Sequence, residues 1–252
     1  MKTRSFILLA LVVLVNLQLY AQTFVTHNGK LTTIAAEAVS ANGAIGAPTV
    51  VGRDGKVFIP PPSNSVLIAP GVYKEFMSHN LGANTALDPH TPVQGIHGNY
   101  YQWGRSTIVA DAYTSAVAIT GWNTTSAANG AWADGSKTAN DPCPTGYRVP
   151  TNAQWSLVDS YNAQTTTGSF SNNANNFGAA RHFGDGANKL TLPAAGARLN
   201  SNGALLNRGL YGYYWSSTES GTYAYSLYFS SSFALTLIDF RTYGFSVRCV
   251  SE

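Results

Sequence analysis

Charge is scarce in this chain: only 11% of its 252 residues are Asp, Glu, Lys or Arg, and the formal net charge is +3. A chain so poor in clustered cations is excluded from nucleic-acid binding, which needs Lys and Arg set against phosphates. Electrostatic attachment to a membrane surface is excluded for the same reason. Cysteine is limited to Cys143 and Cys249. The sequence has no G-x-S-x-G elbow, no P-loop and no dinucleotide fingerprint. Its histidines (His27, His79, His90, His97 and His182) show no H-E-x-x-H and no close metal spacing. They are expected to be solvated or hydrogen-bonded loop residues. No catalytic residue, metal or cofactor is therefore expected, and the function sought is not an enzymatic one.

What is present begins with an export signal. Lys2 and Arg4 precede the apolar run "FILLALVVLV", and Ala21 offers a small residue at a cleavage point, so residues 1–21 read as a signal peptide. Asn16 and Gln18 interrupt the run before it reaches the ~20 apolar residues of a membrane span, and no second such run follows. Loss of Lys2 and Arg4 takes the net charge from +3 to +1. In an exported chain an even pair of cysteines reads as a disulfide. A Cys143–Cys249 bridge would close a loop worth about 4–5 kcal/mol in the chain-entropy account.

Residues 22–70 differ in character from the rest. Turn signals at Asn28-Gly29 and Asp54-Gly55 sit beside short apolar runs, and Pro60-Pro61-Pro62 cannot continue a helix or a central strand. This stretch reads as an extended stalk and linker with hairpin turns. Residues 71–252 read as one globular domain. Tyr100, Tyr101 and Trp103 supply aromatic anchors, and Trp122 and Trp132 are expected to hold down the long polar stretch 111–142. One helix is signalled in "VPTNAQWSLVDSYNA": Pro150 blocks helix before it, Thr151 and Gln154 form a capping box, and Trp155, Val158 and Tyr161 or Asn162 mark one face. Short strands follow in "KLTLPAAG", "GYYWSST", "YAYSLYF", "FALTLIDF" and "GFSVRCV", each bounded by Gly, Ser or Asn. The class is α+β: short antiparallel strands, one clear helix and long loops.

The motifs "DPCPTGYRVPTNAQW", "LPAAGAR", "YWSSTE" and "GFSVRCV", in this order, resemble the Fibrobacter succinogenes-type major paralogous domain of exported Bacteroidetes proteins. That family is similar to the lectin-like domains of bacterial adhesins. The resemblance implies a C-type-lectin-like fold over residues 73–252, with a disulfide near the last strand and Trp215 and Arg248 as fold residues. The ending is also similar to the variable proteins of diversity-generating retroelements. There, randomised AAC codons become NNC, which cannot encode Lys, Gln, Glu, Met or Trp. Residues 220–245 contain none of these types.

The segment "YGYYWSSTESGTYAYSLYFSSS" holds six of the chain's 14 tyrosines. In a strand Tyr223, Tyr225, Leu227 and Phe229 share one side and Ala224, Ser226 and Tyr228 the other. Leu227 and Phe229 are expected in the interior. The tyrosines are too many for one core, because each buried hydroxyl needs a partner. Tyrosine and serine are also the residues of adaptable binding surfaces. Tyr211, Tyr213, Tyr223, Tyr225, Tyr228 and Tyr243, with Phe233, Leu235, Leu237, Asp239 and Phe240, are therefore the predicted ligand-binding residues. The expected role is an exported adhesin or receptor-like protein at the cell surface, binding a protein on another cell or phage. A glycan ligand, or a structural matrix role, is the alternative.

Overall fold

The computed structural model describes residues 64–186 and 188–252, and the backbone of four short strands before them. Those strands are β1 (Phe24–His27), β2 (Lys30–Thr33), β3 (Val50–Val51) and β4 (Val57–Phe58). They pair antiparallel, β1 with β2 and β3 with β4, across the Asn28-Gly29 and Asp54-Gly55 turn signals. The proposed signal peptide lies outside the described residues. Two compact units divide at Pro60 and Pro61, so the second unit starts before residue 71, where the sequence placed its boundary. The reason is a hairpin of β5 (Ser65–Ala69) and β6 (Val72–Glu75). Val66 on β5 is fully buried in the main core, and the Asn162 side chain bonds both the N–H and the C=O of Leu67.

The second unit is mostly sheet with one α-helix, α1 (Asn152–Tyr161). Thr151 caps α1 by accepting from the Gln154 N–H at 3.0 Å, while the Gln154 side chain accepts from the Thr151 N–H at 2.9 Å. Trp155 and Val158 form its buried face, as the sequence predicts. The remaining strands are β7 (Asn99–Gln102), β8 (Ile108–Asp111), β9 (Tyr147–Arg148), β10 (Gln164–Thr167), β11 (Ala180–Phe183), β12 (Leu190–Pro193), β13 (Ala197–Arg198), β14 (Leu205–Leu206), β15 (Gly212–Ser220), β16 (Tyr223–Phe229), β17 (Ala234–Phe240), β18 (Gly244–Ser246) and β19 (Val250–Ser251). Strands β10, β11 and β12 form a three-stranded antiparallel sheet. The principal sheet runs β14-β13-β18-β15-β16-β17, with β7 and β8 added beside β18.

Successive residues of β15 serve opposite faces of this sheet. Tyr214 joins Trp155, Phe183, Leu192, Leu227 and Phe229 in the core beneath α1. Trp215 joins Trp103, Trp132, Phe245 and Val247 in the core on the other side. Cys143 and Cys249 are bridged, with Cα atoms 5.8 Å apart, and close the second core. The long stretch 111–142 is held down as expected: Trp122 Nε1 donates to Asn200 O, and Trp132 Nε1 donates to Asn140 O. The Trp122 ring occupies the place a Cβ at Gly203 would take, where φ is +71°. Among the described residues no helix is long and apolar enough to cross a membrane.

Candidate functional site: an aromatic sheet face and an open edge strand

The register of β15, β16 and β17 sorts the predicted binding residues onto two faces. Tyr213 pairs with Tyr228, which pairs with Leu235; Trp215 pairs with Ser226, which pairs with Leu237. Tyr213, Tyr228, Leu235, Leu237 and Asp239 therefore share the face opposite α1. Tyr223, Tyr225 and Phe240 lie on the α1 face, together with Ile238, which the sequence placed in the same apolar run. Leu227 and Phe229 are fully buried, as expected.

On the face opposite α1 the rings form one continuous cluster. Tyr228 lies between Tyr211 and Tyr213, with ring centroids 5.0 and 5.1 Å away. Tyr213 stacks on Phe245 at 5.0 Å, and Phe245 stacks on Tyr243 at 5.4 Å. Phe233, in the turn after β16, closes the other end at 5.6 Å from Tyr228. Tyr211, Tyr213, Tyr228 and Tyr243 are each half-buried, their rings supported from behind and open at the rim. Phe245, which the sequence reading did not single out, is the buried support from which the exposed rings are built out.

Hydrogen bonding tunes this cluster. Asn207 Nδ2 donates to the Tyr213 hydroxyl at 3.0 Å, and Ser226 Oγ donates to Asp239 at 2.6 Å. Burial pushes the Tyr213 hydroxyl up to about 12, opposed by the Asn207 bond and reinforced by the Asp239 charge. Burial likewise raises Tyr228 and Tyr243. The Asp239 carboxyl is raised by burial against the opposing bond from Ser226. The cluster thus presents neutral phenol groups at physiological pH, able both to donate and to accept.

Strand β17 borders the cluster and ends the principal sheet. Its apolar side chains are open on both faces: Leu235 is 37%, Leu237 42%, Ile238 53% and Phe240 49% exposed. Single exposed apolar residues are ordinary, but a contiguous set marks a contact surface. Two shallow grooves lie elsewhere, one beside Gly82, Asn99 and Tyr113 and one beside Arg105, Ala128 and Asn140. Neither includes a predicted binding residue.

A second cluster escaped the sequence. His90 Nδ1 and His182 Nδ1 lie 2.7 and 2.8 Å from the single Thr191 hydroxyl, and His182 Nε2 lies 2.7 Å from Thr167 Oγ1. His90 and His97 are hydrogen-bonded loop residues, as expected, His97 through Nε2 and Phe177 O, and the expectation fails for His182. His182 is part of β11 and nearly buried, and His97 is fully buried. Burial holds both imidazoles down to about 4. His90 stands 101 positions from Thr191, whereas His182 stands 9 from Thr191 and 15 from Thr167, so it is the arrival of His90 that no local spacing announces. Among the described residues no group of three or more His, Cys, Asp or Glu is placed to hold a metal ion.

The motif residues are framework. Trp215 Nε1 donates to Tyr101 O, Ser217 and Thr218 donate to Asp134, and Glu219 pairs with Arg241. Arg248 is buried without an acid partner. Its guanidinium donates to Met77 O, Ser78 O, Asn80 Oδ1 and Thr191 O. Burial lowers it to about 10, so it remains charged at neutral pH.

Fold and site together define a mostly-sheet α+β unit that presents an aromatic face beside an open edge strand. A family described as a domain of unknown function (DUF8237) matches residues 172–250. That stretch contains every predicted binding residue and Cys249, but neither α1 nor Cys143. No curated protein and no solved structure matches the chain.

Proposed function

We propose that this chain is an exported, non-enzymatic binding protein whose aromatic sheet face takes up a protein ligand at the cell surface. The observation that carries the reading is the run of rings Tyr211, Tyr213, Tyr228 and Phe233, half-buried behind and open in front. Rigid aromatic anchors of this kind offer large contact area at low entropic cost and dominate the energetics of protein interfaces. Leu235 and Leu237 extend the patch with apolar area, which a protein partner would bury better than a sugar would. The Cys143–Cys249 bridge supports export, since such bridges persist in oxidising compartments. One α-helix beside sheets that are antiparallel except where β15 meets β18, with a bridge next to the last strand, is what supports the C-type-lectin-like reading of the fold. The absence of Lys, Gln, Glu, Met and Trp from residues 220–245 supports reading the face as one version of a diversified surface.

The test is adhesion of the full chain to a panel of intact bacterial cells: untreated, protease-shaved and periodate-oxidised. Binding should survive periodate and be lost on shaving. Tyr228→Ser should weaken it by roughly 30-fold or more, the size of a hot-spot loss. Periodate-sensitive binding would replace the protein ligand with a glycan. Unchanged binding by the Tyr228 variant would remove this face from the function.

A further inference from the structure

The open edge of β17 carries an inference that does not depend on the ligand of the aromatic face. The hairpin joining β16 to β17 closes with the Ser230 N–H donating to Phe233 O at 2.9 Å. Bonded and non-bonded pairs alternate in an antiparallel ladder. Tyr228/Leu235, Ser226/Leu237 and Ala224/Asp239 are therefore the bonded pairs between these strands. It follows that Ala234, Thr236, Ile238 and Phe240 point their backbone N–H and C=O groups away from β16. Among the described residues, only Phe240 O of this set has a partner, the Tyr243 N–H at 3.0 Å.

Natural edge strands are usually defended by Lys, Pro, a bulge or a short length. Strand β17 runs for 7 residues as "ALTLIDF" with no Lys, no Pro and no bulge, and its single defence is one inward-turned charge. Its one charged residue, Asp239, turns its carboxyl inward to Ser226. A strand added here would meet apolar side chains on both of its faces, Leu235 and Leu237 on one and Ile238 and Phe240 on the other. The incoming strand must therefore be apolar on both faces as well, and β17 itself is such a strand.

We propose that β17 pairs antiparallel with β17 of a second copy about a two-fold axis through Leu237, joining the two principal sheets into one. In this register every outward-pointing residue meets an outward-pointing residue. Thr236 faces the partner's Ile238, and Ala234 faces the partner's Phe240, setting the smallest side chain of the strand against its largest. Asp239 faces the partner's Leu235, so the two carboxylates do not oppose each other. Leu237 meets its own copy in a non-bonded pair, where Cβ atoms come within about 4.5–5.5 Å. The interface is isologous and closes after one partner, giving a discrete dimer and not a filament. Tyr211, Tyr213 and Tyr228 stay uncovered, so the dimer and the ligand face can fail separately.

The experiment is light scattering on the size-separated full chain at about 10–100 μM, with three variants compared. The wild type should run at twice its chain mass. Ile238→Lys, a change at an exposed position, should weaken association at least tenfold while leaving the circular dichroism of the folded chain unchanged. Leu237→Cys should cross-link between copies on mild oxidation. Thr236→Cys should not, because its two copies would sit about 7–8 Å apart. A wild type that stays monomeric over this range would overturn the proposal, as would equal cross-linking by the two cysteine variants. A chain monomeric alone that instead adds a strand from its ligand at β17 would overturn it too.

Discussion

Along β15 the polar side chains from Ser216 to Glu219 are all bonded to other parts of the chain, whereas along β17 only Asp239 is. Both strands belong to one sheet and β16 separates them. Strand β15 is committed on every side: α1 meets it through Trp155 Nε1 and Trp215 O, Trp103 Nε1 reaches Ser216 O, and Asp134 ties the long 111–142 stretch to Ser217 and Thr218. Strand β17 is bonded along one edge only, to β16, and leaves its outer backbone groups and its largest side chains open. The cost of ordering a chain is met mainly by burial and satisfied polar groups. A strand that is open along one edge and on both faces contributes less of either than one that is enclosed. The comparison says where this protein is rigid and where it is available.

The largest expected effect tests the rigid side. Arg248→Met should destabilise the second unit by about 3–5 kcal/mol, because it orphans several buried acceptors, each costing on the order of 1 kcal/mol or more. Those acceptors include the backbone carbonyls of Met77, Ser78 and Thr191. Chemical denaturation of the variant checks it. A loss under about 1 kcal/mol would mean that the β15 side is no better secured than β17.

Arg248 also shows what could be read from the sequence and what could not. The helix was legible because its signals are local: Pro150, then Thr151 and Gln154 three positions on, then Trp155 and Val158 on one face. Strands β15, β16 and β17 were legible from the Gly, Ser and Asn residues that bound them. The Cys143–Cys249 pairing followed from there being only two cysteines. The clamp from Arg248 to Met77, by contrast, spans 171 positions and leaves no trace in local pattern. Alternation told which tyrosines share a face of β16, but not that Phe245 and Trp215 would cover only part of that face. The second unit takes in β5 because Val66 is buried in the main core and Asn162 bonds Leu67 across 95 positions, neither of which composition records.

An intermediate effect comes from each of the buried imidazoles, again on the committed side of the molecule. His97 and His182 are held down to about 4 by burial, well below the ~6.5 of an unfolded histidine. The folded chain thus binds fewer protons than the unfolded one between these values. Stability should be fully present above about pH 6.5 and fall as the pH drops towards 4. Each imidazole is expected to contribute on the order of 2–3 kcal/mol to this loss. Midpoints of denaturation at pH 7 and pH 4.5 check it. In the His97→Gln, His182→Gln double variant, the part of the pH dependence set by these two groups should vanish. A wild-type curve that is flat over this range would show the imidazoles to be solvated.

The smallest expected effect lies on the open side. Phe233 is 40% exposed and touches the cluster only at Tyr228, with centroids 5.6 Å apart. Its backbone carbonyl, which closes the hairpin by accepting from the Ser230 N–H, survives any change of side chain. Phe233→Ala should therefore cost less than about 1 kcal/mol, against the ~3–5 kcal/mol that truncating a buried phenylalanine removes. Phe245, wedged against Trp215 at 4.2 Å, is the buried counterpart within the same ring system. The two variants apply one chemical change to two ends of one aromatic cluster, so their difference measures how far the cluster belongs to the core. Comparable losses would make the tyrosines an extension of the interior. A loss confined to Phe245→Ala, with cell binding weakened by Phe233→Ala, would show that the rings at this edge are kept for a partner.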